Sequence, residues 1–205
     1  MYKLVIIAAL LGACALALKG AGSTGKRIAT LTGALGLGLF AVTEVFAFAY
    51  LTLLHGSELD ITVANYSRNC AYLFFLAALL YLVPESAKGR KPLQVVASGL
   101  SALAIVFILM GVVLNNPELL YYSALLMMVL SVASAIYLII TGNRGVRLFA
   151  ASVIAMSILD SIHRLLIIFD PGWYWHDIAL LLYPVAYLFI GFALLTLREE
   201  ATDNG

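Results

Sequence analysis

The sequence predicts an all-α membrane protein, a bundle of seven transmembrane helices with the N-terminus outside and the C-terminus in the cytoplasm. Hydrophobic residues make up 63% of its 205 residues and charged residues only 11%, whereas about a quarter of residues are charged in soluble domains. The chain also divides into seven apolar runs, and its lysine and arginine residues favour alternate connections. A soluble domain of this length leaves much of its chain facing solvent, so this composition favours lipid surroundings.

The seven apolar runs are each close to the length of about 20 residues that a helix needs to cross a bilayer. Glycine and proline mark most of the breaks between the runs, as expected at helix ends. No break is long enough for a second domain, so we predict one transmembrane domain over residues 1–197 and a short cytoplasmic tail over 198–205. In chain order the runs are 3–18, 28–54, 64–83, 93–114, 118–140, 147–169 and 174–197.

The orientation follows from the basic residues, because lysine and arginine accumulate on cytoplasmic loops. The opposite side has only Lys3 and Arg68, and it carries the aromatic group Trp173, Tyr174 and Trp175 expected at a membrane boundary. This pattern predicts a multi-pass protein of the cell membrane with the lipid bilayer as its main partner. Nine of the 12 basic residues lie in the first, third and fifth connections and in the tail: Lys19, Lys26, Arg27, Lys88, Arg90, Lys91, Arg144, Arg147 and Arg198.

Polar side chains within the apolar runs are the candidates for function, because ionisable groups are costly inside a bilayer. They occur in the second, third, sixth and seventh runs. In the predicted orientation nearly all of them lie in the outer half of the membrane. We therefore predict a polar pocket that opens outward above a dry, packed inner half. The candidate pocket residues are Glu44, Arg68, Asp160, His163, Arg164, His176 and Tyr183.

A pocket of this kind favours a protein of receptor or sensor type that binds a small ligand or ion from the outer side. Pro184 is expected to bend the seventh helix, which would let that helix move. Because only residues 198–205 follow the last run, any output would pass through a cytoplasmic partner protein. No pattern identifies catalytic residues, and a non-enzymatic function is favoured.

Three other interpretations stay open. A small transporter or channel would use the intramembrane carboxylates Glu44 and Asp160 as proton or cation sites. A metal-dependent hydrolase would hold zinc on His55, His163 and His176, although no His-x-x-x-His or His-Glu-x-x-His pair fixes two ligands on one helical face. In a purely structural interpretation, polar side chains within the runs would only hold helices together, with Asp160 and Arg164, an acid and a base at i, i+4, neutralising each other.

Some partners and cofactors are not expected. A covalently bound retinal needs a Schiff-base lysine in the last helix, and no lysine follows Lys91. The net charge of +1 and the lack of a charged tail provide no surface for nucleic acid. Gly33, Gly36 and Gly38 do not form a nucleotide-binding motif. They are predicted to let a neighbouring helix approach the second helix closely. No cofactor is expected.

Overall fold

In the computed structural model, the described residues are 2–20, 27–53, 59–83, 90–114, 116–169 and 174–202. Over these ranges the chain forms seven α-helices and no β-strand. The helices are α1 (Tyr2–Gly20), α2 (Arg27–Leu53), α3 (Leu59–Leu82), α4 (Arg90–Val113), α5 (Pro117–Thr141), α6 (Arg144–Phe169) and α7 (Tyr174–Thr202).

Each predicted apolar run is a helix, and the main differences lie at the ends. Helix α3 begins at Leu59, five residues before the predicted run, and α7 continues to Thr202. Hydropathy identifies only the apolar part of a helix, whereas the backbone hydrogen bonds continue into polar residues such as Asp60 and Glu199. Most of the helices are therefore longer than the apolar runs that predict them, and α2 has the same length as its run.

Four helices contain an apolar stretch long enough to cross a membrane. These stretches are Arg27–Phe46, Gln94–Gly111, Tyr122–Thr141 and Arg144–Ile162. Within the described residues, the apolar stretches of the other three helices are shorter: Leu4–Lys19, Ser67–Leu82 and Leu181–Leu197. The helix prediction is confirmed, while the crossing of all seven helices and their orientation stay predictions.

Six of the helices form a closed ring. The contacts run from α1 to α2, α3, α5, α6 and α7, and α7 returns to α1. Across the ring, α2 contacts α7 and α3 contacts α6, so these four helices surround the centre. Helix α4 lies outside the ring and packs mainly on α5.

Glycines allow close approaches between helices of the ring. A Cβ atom at Gly191 would lie 2.6 Å from the Cα of Ala13, so α1 and α7 are almost in backbone contact there. A Cβ at Gly36 would lie 2.8 Å from the Phe75 ring, and one at Gly33 would lie 2.8 Å from Leu194. The predicted close approach is confirmed at these two α2 positions. It is wrong at Gly38, where a Cβ would meet nothing within 4 Å because that face of α2 is open.

The molecule has many apolar side chains on its surface and several polar side chains in its interior. Large apolar side chains stand on the surface, as at Val95 (72% exposed), Val113 (80%) and Val185 (65%). In contrast, Asn69, Ser123 and several other polar side chains are buried. Water-soluble proteins rarely expose contiguous apolar surface on this scale, so the arrangement is compatible with a lipid environment.

Candidate functional site

The Asp160 carboxylate lies at the centre of the ring with 1% of the residue exposed. Its Oδ2 accepts a hydrogen bond of 2.8 Å from the Tyr72 hydroxyl on α3, and its Oδ1 accepts one of 2.5 Å from the Tyr183 hydroxyl on α7. Hydrogen bonds to an ionised acceptor are roughly twice as strong as neutral ones. A single carboxylate on α6 therefore connects three helices.

Arg68 supplies the positive charge beside Asp160. Its Nε atom lies 3.9 Å from Oδ2 of Asp160, which is an ion pair but too long for a hydrogen bond. Arg68 precedes Tyr72 by one helical turn, so both side chains lie on the face of α3 that meets α6. The side chain of Arg68 is 15% exposed and that of Asp160 is 0% exposed, so the arginine is the more accessible member of the pair.

Glu44 and Tyr187 extend the polar group toward α2. Glu44 is half-buried on α2 and interacts electrostatically with Arg68 and Tyr187. Tyr187 is fully buried one turn after Tyr183, with the two rings 5.8 Å apart. Its hydroxyl has no hydrogen-bond partner among the described residues. We call the complete group the central cluster: Glu44, Arg68, Tyr72, Asp160, Tyr183 and Tyr187.

Aromatic rings border the central cluster on one side. The ring of Phe40 on α2 lies 5.9 Å from that of Tyr72 and 5.5 Å from that of Tyr187. Phe75 on α3 lies 5.9 Å from Phe40 and 6.3 Å from Tyr72. These fully buried rings exclude water from that side, and charge interactions are stronger in such low-dielectric surroundings.

A second buried polar contact lies one residue from Arg68. The side-chain nitrogen Nδ2 of Asn69 donates a hydrogen bond of 2.7 Å to Oγ of Ser123 on α5. Both residues are 0% exposed. Polar contacts therefore connect α3 directly to α5 and α6, and to α7 through Asp160.

Two apolar grooves flank α6 on the outside of the ring. One has a volume of about 460 Å³ and lies against α5, where Val129 and Ile154 line it. The other has a volume of about 420 Å³ and lies against α7, where Val185 and Phe189 line it. No residue of the central cluster lines either groove, so they are separate from the polar site.

The structure brings four of the predicted pocket residues together: Glu44, Arg68, Asp160 and Tyr183. His55 and the side chains of His163, Arg164 and His176 lie outside the described part of the chain. Within the described residues, the basic residue that forms an ion pair with Asp160 is Arg68 on α3. The side chain of Arg164, the base predicted to neutralise Asp160 within α6, is not described. Among the side chains that the structure describes, no three His, Cys, Asp or Glu residues converge as a metal site. The predicted metal ligands His55, His163 and His176 are outside that comparison, so the zinc hypothesis stays untested.

Tyr72 and Tyr187 belong to the site but are not among the predicted pocket residues. Each lies four residues after a predicted one, Arg68 and Tyr183 respectively, and so on the same helical face. This spacing of four residues is the sequence feature that could have identified Tyr72 and Tyr187 as site residues. It was weak because a tyrosine in a membrane helix is more often a packing or interfacial residue than a site residue.

The central cluster provides two carboxyl groups, an arginine and three phenolic hydroxyls in a mostly buried setting. Such a group can bind a polar ligand, hold a proton or fix the helices relative to one another. No protein family, curated protein or solved structure gives a significant match to this chain. The functional interpretation therefore depends on the chemistry of the central cluster.

Proposed function

We propose that this chain is a seven-span membrane protein of receptor or sensor type that binds a small ligand or ion in the central cluster. Its N-terminus lies outside and its C-terminus in the cytoplasm. The basic residues on alternate connections support this orientation. The apolar outer surface and the buried Asp160 support the lipid setting, because charged groups in membrane proteins face the interior of the bundle.

The observation that carries the proposal is the unequal exposure of the ion pair. Asp160 is sealed between helices, whereas Arg68 keeps 15% of its side chain accessible. In the proposed orientation α3 enters from the outside at Leu59, so Arg68 lies on the outer side of Tyr72 and Phe75. A ligand arriving from outside would meet Arg68 first, and the aromatic rings would form the floor of the site.

Helix α7 provides a route from the site to the rest of the molecule. Tyr183 donates its hydrogen bond to Asp160, and Pro184 follows it inside α7. Proline removes the N–H group that would bond to the carbonyl of residue 180, which weakens the helix at that point. A ligand that changes the Tyr183–Asp160 contact would therefore act on the weakest turn of α7 and move its inner part, where a cytoplasmic partner protein would receive the signal.

The test is a thermal-stability screen of purified protein in lipid nanodiscs. The probes are sodium, potassium, calcium and chloride ions, amino acids, short carboxylates, alcohols and sugars. We expect at least one probe to raise the melting temperature of the wild type and of Tyr81→Phe, since Tyr81 is 59% exposed and distant from the cluster. The same probe should have no effect on Arg68→Gln. A panel in which every stabilising probe acts equally on Arg68→Gln would overturn the proposal.

A transporter is the second candidate, favoured by buried hydroxyl groups beyond the cluster. Thr30, Ser131 and Ser134 are 0–1% exposed and lie toward the predicted inner side. However, the Ser131 hydroxyl is bonded to the carbonyl of Met127 in its own helix. Flux of protons or sodium ions into proteoliposomes that contain the wild-type protein, and its absence from protein-free liposomes, would establish this function instead.

The metal-dependent hydrolase rests on His55, His163 and His176. Elemental analysis of the purified protein, without a histidine tag, decides it. About one zinc per chain, lost in His163→Ala, would support the hydrolase, and a metal-free preparation would exclude a tightly bound catalytic metal.

A further inference from the structure

Two buried hydrogen-bond donors in the central cluster have no acceptor among the described residues. The Tyr187 hydroxyl is fully buried and unpartnered. The Nε atom of Arg68 is also buried without a hydrogen-bond partner, and Oδ2 of Asp160 lies 3.9 Å from it. Native proteins pair nearly all buried polar groups, so each exception needs an explanation.

The two donors belong to the same interior space. Arg68 Nε lies 3.9 Å from the carboxylate of Asp160, and that carboxylate accepts a hydrogen bond from Tyr183. The Tyr183 ring lies 5.8 Å from the Tyr187 ring. Glu44 lies one helical turn after Phe40, whose ring is 5.5 Å from that of Tyr187. Asp160 accepts a hydrogen bond from neither donor, because its Oδ2 lies 3.9 Å from Arg68 Nε and the Tyr187 hydroxyl has no partner among the described residues. One additional group between Arg68 and Tyr187 would satisfy both donors at once.

The charges around this space restrict the chemistry of that group. Arg68 is positive, whereas Glu44 and Asp160 are negative, so a further anion would add to an excess of negative charge in low-dielectric surroundings. A bare cation would not accept hydrogen bonds. A neutral hydroxyl oxygen accepts hydrogen bonds through its lone pairs and donates one through its proton.

We propose that the central cluster holds a neutral hydroxyl oxygen that accepts hydrogen bonds from Arg68 and Tyr187 and donates one to Glu44. The oxygen belongs either to a bound water or to an alcohol group on a small ligand. The inference rests on the proposed binding role of the cluster and names the chemistry of what binds there.

Removing the Tyr187 hydroxyl tests the proposal. If that hydroxyl bonds to the bound oxygen, Tyr187→Phe lowers the melting temperature, by about 2–4 °C for a chain of this size. Tyr183→Phe is the positive control, because its hydroxyl is bonded to Asp160. Tyr81→Phe is the exposed control and should change little. An unchanged or raised melting temperature in Tyr187→Phe would overturn the proposal, since removing an unpaired buried hydroxyl is neutral or stabilising.

A double-mutant cycle tests the bridge to Glu44. Side chains connected through one bound group give non-additive effects, whereas independent ones add. We expect Tyr187→Phe to lower the melting temperature less in a Glu44→Leu background than in the wild type. Equal effects in both backgrounds would contradict the proposed bridge.

An experimental structure in nanodiscs then identifies the source of the oxygen. An isolated density peak within hydrogen-bond distance of Arg68 Nε and the Tyr187 hydroxyl would be water. Extended density, with a stoichiometric alcohol extracted from the same preparation and identified by mass spectrometry, would be a ligand. Density on Arg68 but away from Tyr187 would overturn this inference and leave the proposed binding role intact. No density at either residue would overturn this inference, whereas the binding role is decided by the probe screen with Arg68→Gln.

Discussion

Asp160 is the residue on which the central cluster depends. Its carboxylate is buried, accepts hydrogen bonds from α3 and α7, and faces Arg68. A buried charge is costly unless it is paired and hydrogen-bonded, and here both conditions are met. The same contacts that stabilise the charge also fix the relative positions of three helices. Stability and the proposed ligand response therefore depend on one side chain.

Asp160→Asn should destabilise the protein strongly. The change removes the ion-pair partner of Arg68 and weakens the acceptors of Tyr72 and Tyr183, so we expect a loss of about 3–5 kcal/mol in the free energy of unfolding. Reversible unfolding in detergent, followed by circular dichroism, measures it.

Ser157→Ala is the matched control for Asp160→Asn. Ser157 lies one turn away on the same helix, is buried, and donates its hydrogen bond to the carbonyl of Val153 within α6. It should cost about 1 kcal/mol or less. Equal losses in the two variants would contradict a central role for the carboxylate.

At this scale the sequence predicts which polar residues matter better than it predicts their partners. Glu44, Arg68, Asp160 and Tyr183 stand out because each is polar within an apolar run. The pairing of Arg68 with Asp160 was not predictable, since it joins residues far apart in the chain and depends on how the helices are arranged.

Among the helices, α1 and α7 approach each other closely at Gly191. Gly191→Ala would place a methyl group 2.6 Å from the Cα and 2.7 Å from the carbonyl oxygen of Ala13. Because backbone atoms do not give way easily, we expect a loss of about 1–3 kcal/mol in the free energy of unfolding.

The control for Gly191→Ala is Gly38→Ala, where the new methyl group would meet nothing within 4 Å. That change should be neutral or stabilising by up to about 1 kcal/mol, because alanine favours the helix over glycine. Thermal unfolding of both variants in one detergent makes the comparison. A stable Gly191→Ala protein would mean that α1 and α7 are not in close contact.

Pro184 lies at the turn of α7 about which the helix is proposed to move when a ligand binds. Pro184→Ala restores an N–H group to the middle of α7 and should raise the melting temperature. If α7 moves about this turn, any probe that stabilises the wild type should produce a smaller change in hydrogen–deuterium exchange of α7 in this variant. An unchanged exchange response would contradict the proposed hinge.

Helix existence was the most predictable property of the elements, because long apolar runs mark every helix. Helix ends were less predictable where polar residues continue the helix, as at Leu59 in α3 and Thr202 in α7.

For the whole molecule, sequence composition predicts an apolar exterior but not the order of the helices around the ring. The placement of α4 outside the ring, with α3 against α5, follows from packing between distant parts of the chain. That placement decides which polar residues meet. It also leaves Val95, Val113 and much of the rest of α4 exposed, as expected of a surface that faces lipid.

Membrane topology is the premise of the proposed function, and reporter fusions at both termini measure it directly. We predict that a C-terminal green fluorescent protein fluoresces and that a C-terminal alkaline phosphatase is inactive. An N-terminal epitope should be accessible to antibody on intact cells, and alkaline carbonate should not release the chain from membranes. Termini on the same side of the membrane, or release by carbonate, would contradict a seven-span protein with an outward-facing site.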